Sequence, residues 1–334
     1  MRYLEELCLL GGTAGDEGSV RDFILSHVAN YPHTVDALGN VIVEKKGRKT
    51  PRQKLMLSAH MDEVGVIITH ITDKGFLQFT TVGGIEPQAL LGKRVRIGEL
   101  TGVIGTAPVH LTEDVSVMPK TEQMYIDIGA AAKAEAMQYV SPADRGIFVS
   151  DYVLFGDDCI KSKAIDDRFG CAVLLNLLEK ELPYDVTLCF CVMEEIGLKG
   201  AGAAANRVQP DIALVIESTT ANDVCGVEGS ERVCVLGEGA AVSFMDRATV
   251  YDKTLYTCAM SVAQKEGIKV QTKTKVAGGN DAAAIQSAGA GAKVLAISVP
   301  TRYIHSASCV AKKEDMDSVY ALVQALILYL GEEK

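Results

Sequence analysis

Apolar residues recur along the chain with two different spacings, and these spacings predict where helices and strands lie. Three segments repeat apolar residues every three or four positions, as on one face of a helix. They are residues 20–28, 169–177 and 319–330. The second segment follows the acidic pair Asp166-Asp167, which we expect to cap the N-terminus of that helix.

Four short runs are apolar at nearly every position, which is typical of strands that are covered on both faces of a sheet. They are Lys54–Ser58, Val186–Val192, Ile212–Ile216 and Lys293–Val299. Because these runs alternate with helical segments, we predict an α/β fold with a mostly parallel sheet flanked by helices. Cys189 and Cys191 lie two positions apart in the second run, so we expect them on one face of a buried strand.

The segment 68–160 has a different pattern, rich in Gly, Thr and Val. It contains a hairpin-like stretch at 94–105 and only one weak helical segment, Ala131–Tyr139. We interpret it as a small β-rich domain inserted into an α/β domain that comprises residues 1–67 and 161–334. The alternative is that these strands merely extend the single large sheet.

Composition and charge exclude several classes of protein. The 334 residues carry 33 Lys and Arg against 43 Asp and Glu, a net charge of −10, and no Trp, so we expect no nucleic-acid partner. No apolar run is long enough to cross a membrane, and the acidic start Met-Arg-Tyr-Leu-Glu-Glu is unlike a signal peptide. With nine cysteines and no Cys-x-x-Cys pair, we expect reduced thiols in a cytoplasmic protein.

Each of the four apolar runs leads into side chains that can bind a metal or transfer a proton. The ligand crevice of an open α/β sheet lies beyond the carboxyl ends of its strands, so these side chains are expected to meet there. A further acidic residue precedes the helix at 169–177. The groups are His60, Asp166, Glu194, Glu195, Glu217 and His305.

Imidazoles together with carboxylates suit two divalent ions such as zinc, cobalt or manganese. In a two-metal site a bridging water becomes a nucleophile near neutral pH, and a neighbouring carboxylate takes its proton. On an extended segment, Glu194 and Glu195 point in opposite directions, so one can bind metal while the other faces the water. Asp62, two residues after His60, is placed to accept the imidazole N–H and fix its tautomer.

The blocks that carry these residues resemble the tetrahedral (TET) aminopeptidases, also described as deblocking or glutamyl aminopeptidase-like dinuclear metallopeptidases. Further blocks in the predicted insert extend the resemblance over the whole chain. The blocks are 58–65, 164–170, 193–200, Gly278-Gly-Asn-Asp281 and 299–306, with 89–97 and 125–129 in the insert.

The resemblance implies a zinc-exopeptidase-like domain in which Asp166 bridges two ions. His60 and Glu217 would complete one coordination sphere, and Glu195 and His305 the other. Glu194 would be the general base and Asp62 the partner of His60. The insert would be a PDZ-like dimerisation domain, and the dimers would assemble into hollow twelve-subunit particles.

The chain departs from the family pattern at two positions. Glu217 stands where the family more often has Asp, and Asn280 stands where it more often has Thr. Both replacements keep a competent side chain, so we expect altered geometry rather than loss of metal.

The predicted activity is removal of N-terminal residues from short peptides by a cytoplasmic metalloenzyme. Three alternatives stay open: the same chemistry on another amide, as in a carboxypeptidase or deacylase, a glycosidase, and a non-catalytic assembly protein. The side-chain preference is not fixed by the sequence. We expect its pocket to include segments near Thr219–Asp223 and Val227–Glu231.

Overall fold

A computed structural model of the chain describes residues 1–108 and 117–332, so residues 109–116 of the predicted insert lie outside the described part. Most of the described strands belong to one large mixed sheet. In spatial order, its main path runs through β1 (His33–Val35), β2 (Val41–Lys45), β12 (Val186–Cys191), β3 (Leu55–His60), β13 (Ile212–Thr220), β16 (Lys293–Arg302), β17 (Cys309–Lys312), β11 (Cys159–Ser162) and β10 (Val153–Phe155). Two short strands, β14 (Ala240–Val242) and β15 (Val270–Thr272), pair beside β16.

The four predicted apolar runs are the centre of this sheet. They form the neighbouring parallel strands β12, β3, β13 and β16, and they are almost entirely buried. Cys189 and Cys191 are both buried in β12, as predicted.

The prediction of a mostly parallel sheet is wrong for the sheet as a whole, because the outer strands pair antiparallel with their neighbours. Edge strands β1 and β10 are exposed along their whole length. They therefore lack the continuous apolar pattern that identifies a strand covered on both faces.

Helices flank this sheet, and the three predicted ones are confirmed. The described helices are α1 (Leu4–Leu9), α2 (Gly18–Val28), α3 (Pro87–Leu90), α4 (Lys133–Ala136), α5 (Ile165–Leu178), α6 (Lys199–Val208), α7 (Lys253–Glu266), α8 (Ala282–Ser287) and α9 (Lys313–Glu332). The weak segment predicted at 131–139 is reduced to the single turn α4. The regular turns of α5 begin after Asp167, whose carboxylate accepts the Gly170 N–H at 2.9 Å, so Asp167 rather than Asp166 caps the helix.

A second, separate sheet closes into a six-stranded barrel. Its strands are β4 (Gly65–Ile71), β5 (Leu77–Val82), β6 (Arg94–Ile97), β7 (Leu100–Gly105), β8 (Tyr125–Asp127) and β9 (Arg145–Phe148). The barrel has its own apolar core, centred on residues such as Leu77, Leu90 and Ile126. Strand β10, which lies within 68–160, pairs with the large sheet instead. The barrel strands therefore occupy 65–148, while the division of the chain into domains at 68 and 160 stays a prediction.

Two observations bear on the other expectations from composition. Within the described residues, no helix is both long enough and apolar enough to cross a membrane. Six of the nine cysteines are buried.

Candidate metal centre and active site

Five candidate ligands meet at the carboxyl edge of the large sheet, beside a cleft of about 380 Å³. The register of the parallel strands explains the meeting. Leu57 of β3 lies beside Leu214 of β13, so continuing this register three residues places His60 level with Glu217. The other ligands come from loops at the same edge: Asp166 before the regular turns of α5, Glu195 after β12, and His305 after β16.

Asp166 lies between two imidazoles, one on each of its carboxylate oxygens. Its Oδ1 atom is 3.3 Å from His60 Nε2, and its Oδ2 atom is 3.4 Å from His305 Nε2. Glu217 Oε1 lies 3.4 Å from His60 Nε2, and Glu195 Oε1 lies 3.3 Å from His305 Nε2. The five side chains therefore form two overlapping groups of three that share Asp166.

Both imidazoles are held so that Nε2 faces the carboxylates. His60 Nδ1 lies 3.1 Å from the main-chain oxygen of Asp62, and His305 Nδ1 lies 2.7 Å from that of Gly84. An N–H on Nδ1 that donates to a carbonyl leaves the Nε2 lone pair free, as metal-binding histidines require. Gly84 follows barrel strand β5, so the barrel segment orients one of the ligands.

The distances between the donor atoms fit divalent cations. Two atoms that each bind one ion tetrahedrally at about 2.0–2.1 Å are about 3.3–3.4 Å apart. The four N···O distances around Asp166 are 3.3–3.4 Å, longer than a good charge-assisted hydrogen bond. In addition, Glu217 Oε1 is buried and has no hydrogen-bond partner among the described residues. A buried charge is rarely left so unless a cation or a proton compensates it.

The pKa values of these side chains in the metal-free protein also favour a cation site. Burial raises the pKa of Glu195 to about 8 and that of Glu217 to about 7. Although burial opposes the shift, the Asp166 and Glu195 carboxylates raise the pKa of His305 to about 9. The cluster thus retains protons at neutral pH that bound cations would displace.

Asp167 also lies within reach of His60 and Glu217, but its oxygens have other partners. Oδ1 accepts the Gly170 N–H at 2.9 Å and Oδ2 accepts the His60 main-chain N–H at 3.2 Å. We therefore assign Asp167 to holding the start of α5 and the end of β3 together, and not to the set of ligands.

Asp62 joins the two halves of the site through its main chain and its carboxylate. The carboxylate accepts the N–H groups of Glu194 and Glu195, each at 3.0 Å. Its Oδ1 atom is 3.4 Å from His60 Nδ1, farther than the main-chain oxygen of the same residue. Asp62 therefore orients His60 mainly through its carbonyl, while its carboxylate fixes the backbone of the glutamate pair.

The glutamate pair lies in a turn directly after β12. Met193 has a left-handed φ of 56°, uncommon for a residue other than glycine, and its N–H donates to the buried carboxylate of Glu17 at 3.1 Å. Both Glu194 and Glu195 line the cleft, but only Glu195 forms a pair with His305. Burial raises the pKa of Glu194 well above its ordinary value.

The structure places further charged groups at the site that the chemistry of the strand ends did not identify. Asp281 is 1% exposed, and neither of its carboxylate oxygens has a hydrogen-bond partner among the described residues. Lys273 is buried in the cleft wall near Ala277–Asn280. The sequence signal was weak for both, since Asp281 merely precedes a run of small residues and Lys273 lies in a polar stretch with Lys275 two positions away. The expected pocket segments contribute only partly: Thr219 and Thr220 line the cleft, whereas Val227–Glu231 does not.

Comparison with known proteins gives a consistent result over the whole chain. The sequence profile of the M42 glutamyl aminopeptidase family matches residues 39–322. The glutamyl aminopeptidase of Lactococcus lactis subsp. cremoris is 29% identical, over 99% of this chain and 96% of its own length. The lysyl aminopeptidase of Pyrococcus furiosus is 28% identical, over 95% of this chain and 93% of its own length.

Solved structures show the same similarity. An aminopeptidase from the archaeon Desulfurococcus kamchatkensis is 34% identical with a TM-score of 0.92, covering 97% of this chain and 93% of its own. The TET1 peptidase of Pyrococcus horikoshii, which can assemble into a tetrahedron or a large octahedral shell, is 33% identical with a TM-score of 0.86, covering 97% and 98%. A protein from Thermotoga maritima described as an endoglucanase is 35% identical with a TM-score of 0.81, covering 97% and 96%.

Proposed function

Because the chain belongs to the M42 glutamyl aminopeptidase family and is a metal-dependent aminopeptidase, we propose that it releases the N-terminal residue of short peptides with two divalent metal ions per chain. Zinc or cobalt suits the two imidazoles best, and manganese is a further option. The observation that carries this proposal is the position of Asp166 between His60 and His305, one imidazole on each carboxylate oxygen.

Each ion would have its own ligands besides Asp166. His60 and Glu217 would hold one, and Glu195 and His305 the other. The side chain of Glu217 is one methylene longer than that of the more usual Asp. It can still take this role, because its Oε1 atom lies 3.4 Å from His60 Nε2. Bound ions of this kind activate a water for attack and polarise the scissile carbonyl.

Glu194 would act as the general base. It lines the cleft beside the ligands but pairs with neither imidazole, so its carboxylate is free to meet the attacking water. Burial raises its pKa well above the ordinary value of a carboxyl, which suits a group that first accepts a proton and then returns it to the leaving amine. Asp62 would position this base by holding the main-chain N–H groups of Glu194 and Glu195.

The barrel would serve as a PDZ-like dimerisation domain, and dimers would assemble into a dodecamer. The supporting observations are the separate core of the barrel and the large assemblies of a relative that matches over nearly the whole chain. We further propose a cytoplasmic location, because the nine cysteines include no Cys-x-x-Cys pair and six of them are buried, as expected of reduced thiols.

The proposal is tested with chelator-stripped protein to which zinc, cobalt or manganese is returned singly. We expect metal-restored cleavage of amino-acid p-nitroanilides that carry a free amine, and no cleavage of their N-acetylated twins. Release of acetate from the acetylated twins, with no release of p-nitroaniline from the free-amine substrates, would favour a deacylase, and metal-independent hydrolysis of a β-glucan would favour a glycosidase.

A variant of the base separates catalysis from metal binding. We expect Glu194→Gln to lower kcat by about 10²- to 10⁴-fold, because the amide cannot accept the proton. Metal content measured by elemental analysis should stay at the wild-type value. If Glu194→Gln instead loses metal while Glu195→Gln keeps it, the two roles are exchanged.

A further inference from the structure

The main chain of residues 192–195, here called the glutamate turn, is held through each of its N–H groups. The Val192 N–H donates to Asn40 Oδ1 at 2.9 Å, and the Met193 N–H donates to Glu17 Oε1 at 3.1 Å. The next two N–H groups donate to the carboxylate of Asp62 at 3.0 Å. Four consecutive N–H groups are therefore held by three side chains from separate parts of the chain.

The carbonyl groups of the glutamate turn are occupied as well. The N–H groups of residues 200, 199 and 198, at the start of α6, donate to the main-chain oxygens of residues 192, 193 and 194 at 2.9–3.1 Å. Buried main-chain groups are normally all paired, but the N–H groups of this turn are paired with side chains and not with a neighbouring strand. The directions in which Glu194 and Glu195 point therefore depend on those side chains.

Glu17 holds the least favourable residue of the glutamate turn. Met193 has a left-handed φ of 56°, which costs free energy for any residue with a Cβ atom. Glu17 is 4% exposed and lies directly before the first residue of α2. An acidic side chain at the start of a helix usually interacts with that helix, but the Glu17 carboxylate accepts the Gly15 N–H at 2.8 Å and the Met193 N–H instead. Glu17 thus supports the turn and not its own helix.

The two glutamates depend on this support to different degrees. Glu195 Oε1 lies 3.3 Å from His305 Nε2, and a bound ion would hold it further. Glu194 lines the cleft but pairs with neither imidazole, so the main chain that carries it sets the position of its carboxylate. A distortion of the glutamate turn should therefore displace Glu194 more than Glu195.

We propose that Glu17 is a positioning residue of the reaction, because it fixes the main chain at Met193 and thereby directs Glu194 towards the attacking water. The inference rests on the proposed function, in which Glu194 is the general base. Glu17 does not line the cleft, so it acts only through the turn. A displacement of about 1 Å caused by a distant substitution can lower a rate by about 10²-fold.

The test measures kcat and KM of metal-loaded variants on the free-amine p-nitroanilide that wild type cleaves fastest. We expect Glu17→Ala to lower kcat by about 10- to 100-fold, because the turn loses the acceptor that holds Met193. KM should stay within about 3-fold of wild type, because the cleft itself is unchanged. Glu17→Gln keeps an accepting oxygen at the same position and should keep kcat within about 3-fold of wild type. Two ions per chain, counted by elemental analysis, are expected in both variants.

Asp315→Ala is the matched control for a loss of stability. Asp315 is also a buried carboxylate that accepts two main-chain N–H groups, those of Gly237 and Gly239 at 2.7 Å, but it does not line the cleft. We expect both alanine variants to lower Tm and only Glu17→Ala to lower kcat. A lower Tm with an unchanged kcat in Glu17→Ala would leave Glu17 a purely structural role and overturn the inference. Glu17→Asp, which draws the accepting oxygen back by one methylene, serves in both measurements if Glu17→Ala does not fold.

A double variant shows whether Glu17 acts through the base. Substitutions of residues that act as a unit have non-additive effects on rate. We therefore expect Glu17→Ala combined with Glu194→Gln to have the kcat of Glu194→Gln alone, to within about 3-fold. A further fall of about 10-fold or more would mean that Glu17 acts by another route, and it would overturn the inference.

The outcomes separate this inference from the proposed function. A loss of kcat in Glu194→Gln without a loss in Glu17→Ala would overturn the inference and leave the proposed function intact. A wild-type kcat in Glu194→Gln, or no cleavage of any free-amine substrate with any metal, would contradict the proposed function and the inference with it.

Discussion

Two clusters of charged side chains draw residues from the segment 163–168, and they are built differently. The first, here called the metal cluster, consists of His60, Asp166, Glu195, Glu217 and His305. The second, here called the Glu63 cluster, consists of Glu63, Lys163 and Arg168. In the Glu63 cluster, opposite charges meet at 2.7 and 3.2 Å, and Arg168 also donates to the Met61 and Leu7 carbonyls.

The metal cluster is less well satisfied internally, and its His60–Asp166 hydrogen bond is long, at 3.3 Å. Its N···O contacts are 3.3–3.4 Å, a buried oxygen of Glu217 has no hydrogen-bond partner in the described part of the chain, and two of its carboxyls have raised pKa values. Burial distinguishes them only partly: the side chains of the Glu63 cluster are at most 3% exposed, whereas that of His305 is 32% exposed. Contact length and hydrogen bonding distinguish them further, because both cations of the Glu63 cluster have close oxygen partners, whereas the metal cluster keeps a buried carboxylate oxygen that bound cations would compensate.

The largest expected difference is in the stability of the metal-free protein. Glu63→Gln leaves two cations buried together without an anion and should lower the free energy of unfolding by about 3–5 kcal/mol. Glu195→Gln, the matched change in the metal cluster, should instead raise it near pH 8, because it removes a carboxylate whose ionisation burial opposes. Denaturant unfolding of both variants after chelation measures the two changes.

Equal destabilisation by the two variants would remove the distinction between the clusters. Equal destabilisation in the presence of metal would not remove the distinction, because Glu195→Gln then also removes a proposed metal ligand. The comparison therefore has to be made on stripped protein.

A smaller expected effect is that the stability added by bound metal changes with pH. Burial raises the pKa of Glu195 to about 8 and of Glu217 to about 7, and carboxylates raise that of His305 to about 9 against the effect of burial. For a raised pKa, stability is fully present below the unfolded value and is lost as pH rises through the folded one. The metal-free protein should therefore lose stability between about pH 5 and 9.

Metal binding has the opposite dependence, because the ligands must be deprotonated. The difference in Tm between metal-loaded and chelated protein should widen from pH 6 to pH 8.5, by roughly 1–2 °C for each 1 kcal/mol that metal adds to the free energy of unfolding. Scanning calorimetry at several pH values measures it. A difference that narrows over this range would mean that the shifted groups do not bind the metal.

The centre of the fold was predictable from the sequence, and its edges were not. Strands β3, β12, β13 and β16 are covered on both faces, so they read as continuous apolar runs. Edge strands such as β1 and β10 are exposed, so they lack that pattern. The comparisons confirm the resemblance to the TET aminopeptidases and favour an enzyme over a non-catalytic assembly protein.

The candidate site was predictable where its residues follow the ends of the buried strands. His60 and Glu217 follow from the strand ends, and the structure brings all five ligands of the metal cluster together as the resemblance implied, although their roles stay predictions. Contacts through the main chain were not predictable. The Gly84 carbonyl that holds His305 carries no side-chain signal. Lys273 lies 56 positions after Glu217 in the sequence. It lines the cleft only because the segment that carries it packs there.

The central claim is that the metal cluster binds two ions through a shared Asp166. Calorimetric titration of chelator-stripped wild type with zinc or cobalt, with native mass spectrometry to count the bound ions, tests it most directly. We predict two ions per chain in wild type and fewer than two in Asp166→Asn, whose amide cannot bridge two cations, with the fold retained by circular dichroism. A single ion in wild type, or two ions still bound by Asp166→Asn, would contradict it.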